Sequence, residues 1–165
     1  MKFLFLIIIN LSTSLYADKF WVDINFTPNI VHFVTETSLN YVNVKKSIHF
    51  KLQARGGGEC LACDCGYPQN SFSAINILSG YHTSSKYLNF SILGGLGLFN
   101  YTDIVILDKT NFKWESNGYR TISFPIEMEF IADLRYIGVG IGVYAQINSI
   151  ETYYGIKLIF LLGYI

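Results

Sequence analysis

Residues 135–148, RYIGVGIGVYAQIN, alternate almost without interruption. Ile137, Val139, Ile141, Val143, Ala145 and Ile147 share one parity; Gly138, Gly140, Gly142, Tyr144, Gln146 and Asn148 share the other. Only an extended strand, with its period of two, puts these sets on opposite faces. The apolar row is long, and the opposite row is glycine, tyrosine and amide rather than charge. That pairing predicts a strand with lipid on its outer face and a tight, semi-polar lumen on its inner face.

The rhythm recurs. From Arg120, the outward row is Ile122, Phe124, Ile126, Met128, Phe130 and Ala132; the inward row is Ser123, Pro125, Glu127, Glu129, Ile131 and Asp133. Three carboxylates on one face of a greasy strand must avoid lipid, because a charge near the midplane costs about 2–4 kcal/mol. From Ser47, Ile48, Phe50, Leu52 and Ala54 oppose His49, Lys51, Gln53 and Arg55. From Tyr87, Leu88, Phe90, Ile92, Leu96 and Leu98 oppose Asn89, Ser91, Gly95 and Gly97. The closing segment carries Tyr154, Ile156, Leu158, Phe160, Leu162 and Tyr164 on one row, with tyrosines at both ends as in an aromatic girdle. KFWVDINF at 19–26 is a clean strand, and 72–82 is a weaker one. A bacterial barrel of one chain needs an even strand number. The eighth is placed at 30–41, where alternation is poor. Loops on one side are expected to be short near Pro28, long at 57–70, long at 102–119 and short at 149–151. Turns on the other side fall near Asn43, 83–86 and 134–135.

The N-terminus reads as an export signal. Lys2 supplies charge, 3–9 form a short apolar core, and 12–17 lead to cleavage after Ala17. The mature domain would then be 18–165. The chain has 12 basic and 12 acidic side chains, so nothing in its charge argues for nucleic acid. It has 12 Tyr and 13 Phe but only 15% charged residues, a poor coat for a small soluble protein. No later segment reaches 18 apolar residues, which excludes a transmembrane helix. What remains is a closed barrel.

The segments FPIEMEFIADLRYIGVGIGVYAQINS (124–149) and YYGIKLIFLLGYI (153–165) resemble small outer-membrane proteins with an "outer membrane protein beta-barrel" domain. The resemblance implies location, and with it outer-membrane lipid and the barrel assembly machinery as partners. Such barrels often end in Phe; this chain ends Gly163-Tyr164-Ile165, with Phe160 and Tyr164 nearby. The family carries no shared catalytic motif.

Three constellations bear on chemistry. Cys60, Cys63 and Cys65 form C-x2-C-x-C on a glycine-flanked loop. An odd count in an oxidising compartment favours one disulfide and one free thiol; a soft metal, helped by Glu59 or Asp64, is the alternative. Glu127, Glu129 and Asp133 share inward parity with His49, Lys51, Arg55 and Lys157. A carboxylate pair can serve as acid and base. In an eight-stranded lumen only wide enough for side chains, a structural ion network is the favoured reading. His82 and Ser84 could suggest a lipid-modifying barrel enzyme, but His82 is expected to be a turn residue. The GxGxG at 138–142 precedes no helix and is read as making room inside the barrel.

The expected architecture is all-β: an eight-stranded antiparallel up-and-down transmembrane β-barrel, monomeric, without cofactor. Its expected work is non-enzymatic, structural or adhesive, or recognition of an extracellular ligand through long loops bearing Phe112, Trp114, Tyr119 and the cysteines. The alternatives are a barrel enzyme acting on membrane lipid and a soluble lipocalin-like binder.

Overall fold

A computed structural model describes residues 18–27, 32–59, 69–108, 111, 113–134 and 136–164. Residues 1–17, expected to be an export signal, and the three cysteines lie outside them. Eight antiparallel strands form one closed ring in sequence order: β1 (Lys19–Thr27), β2 (His32–Asn43), β3 (Ile48–Glu59), β4 (Ser71–Ser84), β5 (Leu88–Asp108), β6 (Lys113–Asp133), β7 (Ile137–Asn148) and β8 (Tyr153–Tyr164). β8 closes on β1 from Phe20↔Tyr164 to Phe26↔Leu158, so neither terminal strand leaves an open edge. The only described helix is a single 3-10 turn, Val44–Lys46; no helix is long and apolar enough to cross a membrane.

Side-chain parity sorts the barrel into two surfaces. Ile141 is 57% exposed and Phe130 52%, while the neighbouring Glu129 is fully buried. The outward rows read from β1, β3, β5, β6, β7 and β8 all face away from the lumen, with Ile24, Leu52, Leu96, Ile126, Val143 and Ile156 exposed. The lumen holds the polar row. A soluble barrel requires the reverse, a polar coat around an apolar interior.

The lumen is layered. At the end bearing both termini, Trp21, Val42, Ile131, Ile159 and Leu161 pack together. At the opposite end, which we call the loop end, Val34, Phe72, Ala74, Phe99, Tyr144 and Tyr153 form a second cluster. The Phe72 ring lies 4.4 Å from Tyr153 and 5.4 Å from Phe99, centroid to centroid. Between these caps sits the charged middle. Gly142 leaves space there: a Cβ on it would stand 3.1 Å from Cε of Lys157 and 2.9 Å from the Met128 carbonyl. Pro125 causes little disruption. The β5–β6 ladder pairs Gly94 with Ile126 and Gly97 with Ser123, and the proline, which has no N–H to donate, falls in the interval.

The structure corrects four expectations. The segment 102–119 is mostly strand: β5 runs to Asp108 and β6 begins at Lys113, pairing Asp103↔Asn117, Ile104↔Ser116 and Val105↔Glu115. Outside a bilayer nothing enforces an apolar/polar alternation, so the sequence there reads as loop. The residues Gly57, Gly58 and Glu59 likewise continue β3, paired to β2 and β4, because a glycine at 57 admits the Phe72 ring, 2.7 Å from where a Cβ would stand. β2, described over His32–Asn43, passes the expected bound at 41 by two residues, and Thr35 and Thr37 dilute its outward row; positions 30 and 31 lie outside the described residues. His82 is no turn residue; it lies within β4, buried in the lumen.

Candidate functional site

The charged middle is built by five strands. β3 projects Lys51 and Arg55 inward, β6 Glu127 and Glu129, β8 Lys157, β2 Glu36 and β1 Asp23, and all are buried. Lys51 Nζ lies 2.6 Å from Glu129 Oε1, 3.0 Å from Glu127 Oε2, 3.1 Å from Glu36 Oε1 and 3.9 Å from Asp23 Oδ2. Lys157 Nζ bridges the same three glutamates, at 2.8 Å from Glu127, 2.8 Å from Glu129 and 3.0 Å from Glu36. Arg55 donates through Nη2 and Nε to Glu36 Oε2 at 2.6 and 3.0 Å, and pairs with Glu127 as well. Its guanidinium rests 4.1 Å over the Tyr144 ring, joining the ion cluster to the aromatic cap.

Neutral groups complete the shell. Asp23 accepts from Ser38 Oγ at 2.6 Å, Asn40 Nδ2 at 2.7 Å and Asn25 Nδ2 at 2.8 Å. Gln53 Nε2 donates to Glu127 at 2.7 Å. Asn76 and Gln146 exchange amide bonds, and Gln146 reaches Ser123 at 2.6 Å. Buried charge requires partners of this kind, since an unpaired ion in a low-dielectric interior costs several kcal/mol; Glu129 Oε2 and Asn25 Oδ1 are buried without a hydrogen bond.

One layer nearer the terminus end lies a histidine pair. Ser91 Oγ is 3.0 Å from His49 Nδ1 and 2.9 Å from His82 Nδ1, and His49 Nε2 meets Asn40 Oδ1 at 2.9 Å. Trp21 packs against His49, ring centroids 5.1 Å apart. His82 thus engages Ser91, and Ser84 stands exposed at the strand end.

Of the residues singled out from parity, Lys51, Arg55, Glu127, Glu129 and Lys157 therefore meet in one place, His49 lies one layer away and Asp133 is displaced. Asp133 sits apart near the terminus end, 3.9 Å from Lys19 and 3.3 Å from Asn89 Nδ2. Two members of the centre, Glu36 and Asp23, fall outside the set that parity singled out, although each carries a signal in the sequence. Asp23 shows inward parity in a clean strand. Glu36 sits between two threonines that hide its strand's outward row.

Chemically, the arrangement is suited to holding rather than reacting. The oxygens of Glu36, Glu127 and Glu129 lie within 4.8 Å of one another, a spacing that suits a cation. The two lysine ammoniums already occupy that role. The closed strand wall separates the carboxylates from the outer surface, and an apolar cluster lies on either side of them along the lumen.

The β5–β6 ribbon extends past the neighbouring strands. Each strand has 21 residues. β4 pairs with β5 only to Thr102, and β7 with β6 only to Ser123. Past Thr102, six residues at about 3.3 Å each carry the ribbon roughly 20 Å farther along the strand direction. It exposes Val105, Ile106, Leu107, Trp114 and Tyr119. Ile104 N–H donates to Asn70 Oδ1 at 2.7 Å, bracing the ribbon's base. Phe112, expected among these aromatics, lies outside the described residues.

No protein-family model and no curated sequence matches the chain. Solved structures do. Neisserial surface protein A (NspA) aligns with TM-score 0.63 and 8% identity, covering 90% of this chain and 97% of that one. The N-terminal β-barrel domain of Pseudomonas aeruginosa OprF aligns with TM-score 0.57 and 9% identity, covering 88% and 97%. Ail, the attachment invasion locus protein of Yersinia pestis, solved with the heparin analogue sucrose octasulfate, aligns with TM-score 0.55 and 8% identity, covering 89% and 96%. At such identities the likeness is one of fold: the chain has the architecture of the small eight-stranded outer-membrane barrels.

Proposed function

We propose that the chain is an integral outer-membrane barrel that does no chemistry and recognises a partner outside the cell through the β5–β6 ribbon. Residues 1–17 act as the export signal and 18–165 as the barrel, inserted as a monomer by the assembly machinery with its termini in the periplasm. The observation that carries the reading is the contrast between a filled lumen and a bare ribbon. Among the described residues the lumen is filled by two apolar clusters and an ion cluster between them. The ribbon spends apolar side chains where solvent would normally demand polar ones, and contiguous exposed apolar surface of this kind marks interaction sites.

The ribbon's chemistry narrows the partner. Ail was solved with a polysulfated ligand. Over 103–120 Asp103, Asp108 and Glu115 balance Lys109, Lys113 and Arg120, so the stretch has no net positive charge to draw a polyanion. Ile106 and Trp114, paired across the strands, suit an apolar patch on a protein. The test is a variant in which a tight turn replaces 103–118, displayed on cells beside the parent. The reading expects both to show heat-modifiable gel mobility, with adhesion to protein-coated surfaces lost only in the shortened form. Equal adhesion would remove the ribbon from the account.

A further inference from the structure

We propose that the terminus end of the barrel carries a basic rim that selects anionic phospholipid headgroups in the leaflet it faces. The proposal rests on the membrane reading above and adds a lipid preference to it.

The rim is made by two turns. The β2–β3 turn carries Lys45 and Lys46, and the β4–β5 turn carries Lys86, all three exposed. These turns are held in place. Asn43 Oδ1 accepts from Lys46 N–H at 3.0 Å, Ser47 takes a left-handed backbone at φ 54°, and Ser47 O accepts from His82 N–H at 2.9 Å. In the second turn, Ser85 N–H donates to Leu88 O at 2.8 Å, and Tyr87 O accepts from Asp133 N–H at 2.9 Å. The lysines therefore project from a fixed base.

Negative charge at this end is withdrawn. Asp18 is buried and accepts from Tyr41 Oη at 2.6 Å. Asp133 turns inward toward Lys19 and Asn89. No other acidic side chain stands at this end among the described residues, so its exposed charge is purely positive. The loop end differs: Glu115 and Glu151 are exposed there beside Lys113 and Arg120.

An aromatic arc fixes the depth. On the outer surface of the same strands, Tyr41 stacks on Phe50 at 6.4 Å, and Tyr81 and Tyr87 are more than half exposed. Lys86 Nζ lies 5.0 Å above the Tyr87 ring. Amphipathic rings settle at the membrane–water boundary. Lysines just beyond such an arc stand at phosphate level, where anionic lipid attracts them within a Debye length. The complement of an all-positive rim at that depth is a headgroup with net negative charge, such as phosphatidylglycerol, rather than a zwitterion.

The test reconstitutes the full chain in phosphatidylcholine vesicles and reads the motionally restricted boundary lipid by electron spin resonance. Spin-labelled phosphatidylglycerol is compared with spin-labelled phosphatidylcholine. The proposal expects about a twofold or greater preference for phosphatidylglycerol in dilute buffer, collapsing toward one in 1 M salt. The Lys45→Gln/Lys46→Gln/Lys86→Gln variant, with heat-modifiable mobility retained, should show a ratio near one in dilute buffer as well. If that variant does not fold, the salt titration of the parent decides alone. A parent ratio near one, a ratio indifferent to salt, or a folded variant with the parent's preference would each overturn the rim. Absence of any restricted lipid around the parent would overturn the membrane reading as well, which separates the two failures.

Discussion

Glu127 and Glu129 lie two apart on one strand, so they share a face, and the apolar row Ile126, Met128 and Phe130 opposite commits that face to the lumen. Parity also commits Lys51, Arg55 and Lys157, so much of the ion cluster is legible in the order of the residues. The part that is not legible depends on register and on neighbours. Glu36 reaches the cluster through pairing of β2 with β3, Glu36↔Arg55, in a strand whose Thr35 and Thr37 blur the outward row. Asp133 has the right parity but lies too near the strand end, and parity carries no information about depth. We propose that the cluster is a scaffold. Removing one ion then strands its partner in a low-dielectric interior at about 3–5 kcal/mol. Glu129→Gln and Lys157→Met should each lower the melting temperature, and the double variant should recover part of the loss. Unchanged melting in both single variants would contradict the scaffold. A finer test uses the glycines. Gly142→Ala sets a methyl against Lys157 and the Met128 carbonyl, and overpacking of this kind costs about 1–3 kcal/mol. Gly118→Ala meets open space and should melt with the parent. Equal effects at the two sites would show that Gly142 is not needed for space.

At the scale of elements, legibility tracks the bilayer. β6, β7 and β8 announce themselves because lipid demands an apolar residue at every second position, while their inward rows carry glycine, amide and charge. Above the barrel the demand ends, and β5 and β6 continue as a ribbon whose residues Ile104 to Leu107 show no period of two. Backbone pairing between β5 and β6 holds those positions, with Asn70 bracing Ile104 at the base. The distinction makes a prediction about where lipid stops. Ile141→Arg, in the belt on β7, should impair folding by about 2–4 kcal/mol. Val105→Arg, on the ribbon and 43% exposed, should leave folded yield and thermal resistance as they are. Refolding into vesicles with denaturant titration measures both. Equal costs would place the ribbon in lipid or the belt in water.

At the scale of the molecule, three features reinforce one another. The ring closes β1 on β8, which satisfies every strand edge within the belt. The outer surface is mostly apolar over the height of the common barrel, interrupted by Thr35 and Thr37 on β2 and Ser73 and Ser79 on β4. The interior is filled by ions paired with ions, capped by Trp21 at one end and by Phe72, Phe99 and Tyr153 at the other. Together they describe a rigid plug in a membrane, bearing one apolar ribbon on its loop end and one basic rim on the other. The embedding in lipid is the claim on which the rest depends. It is tested by single spin labels in a variant lacking Cys60, Cys63 and Cys65, reconstituted in vesicles, with labels at Ile75, Ile77, Ile141 and Ile156 and a reference label at Trp114. Collision with oxygen should dominate over collision with a water-soluble nickel chelate at all four belt positions, and the order should invert at 114. Nickel-dominated collision at the belt positions would contradict the account.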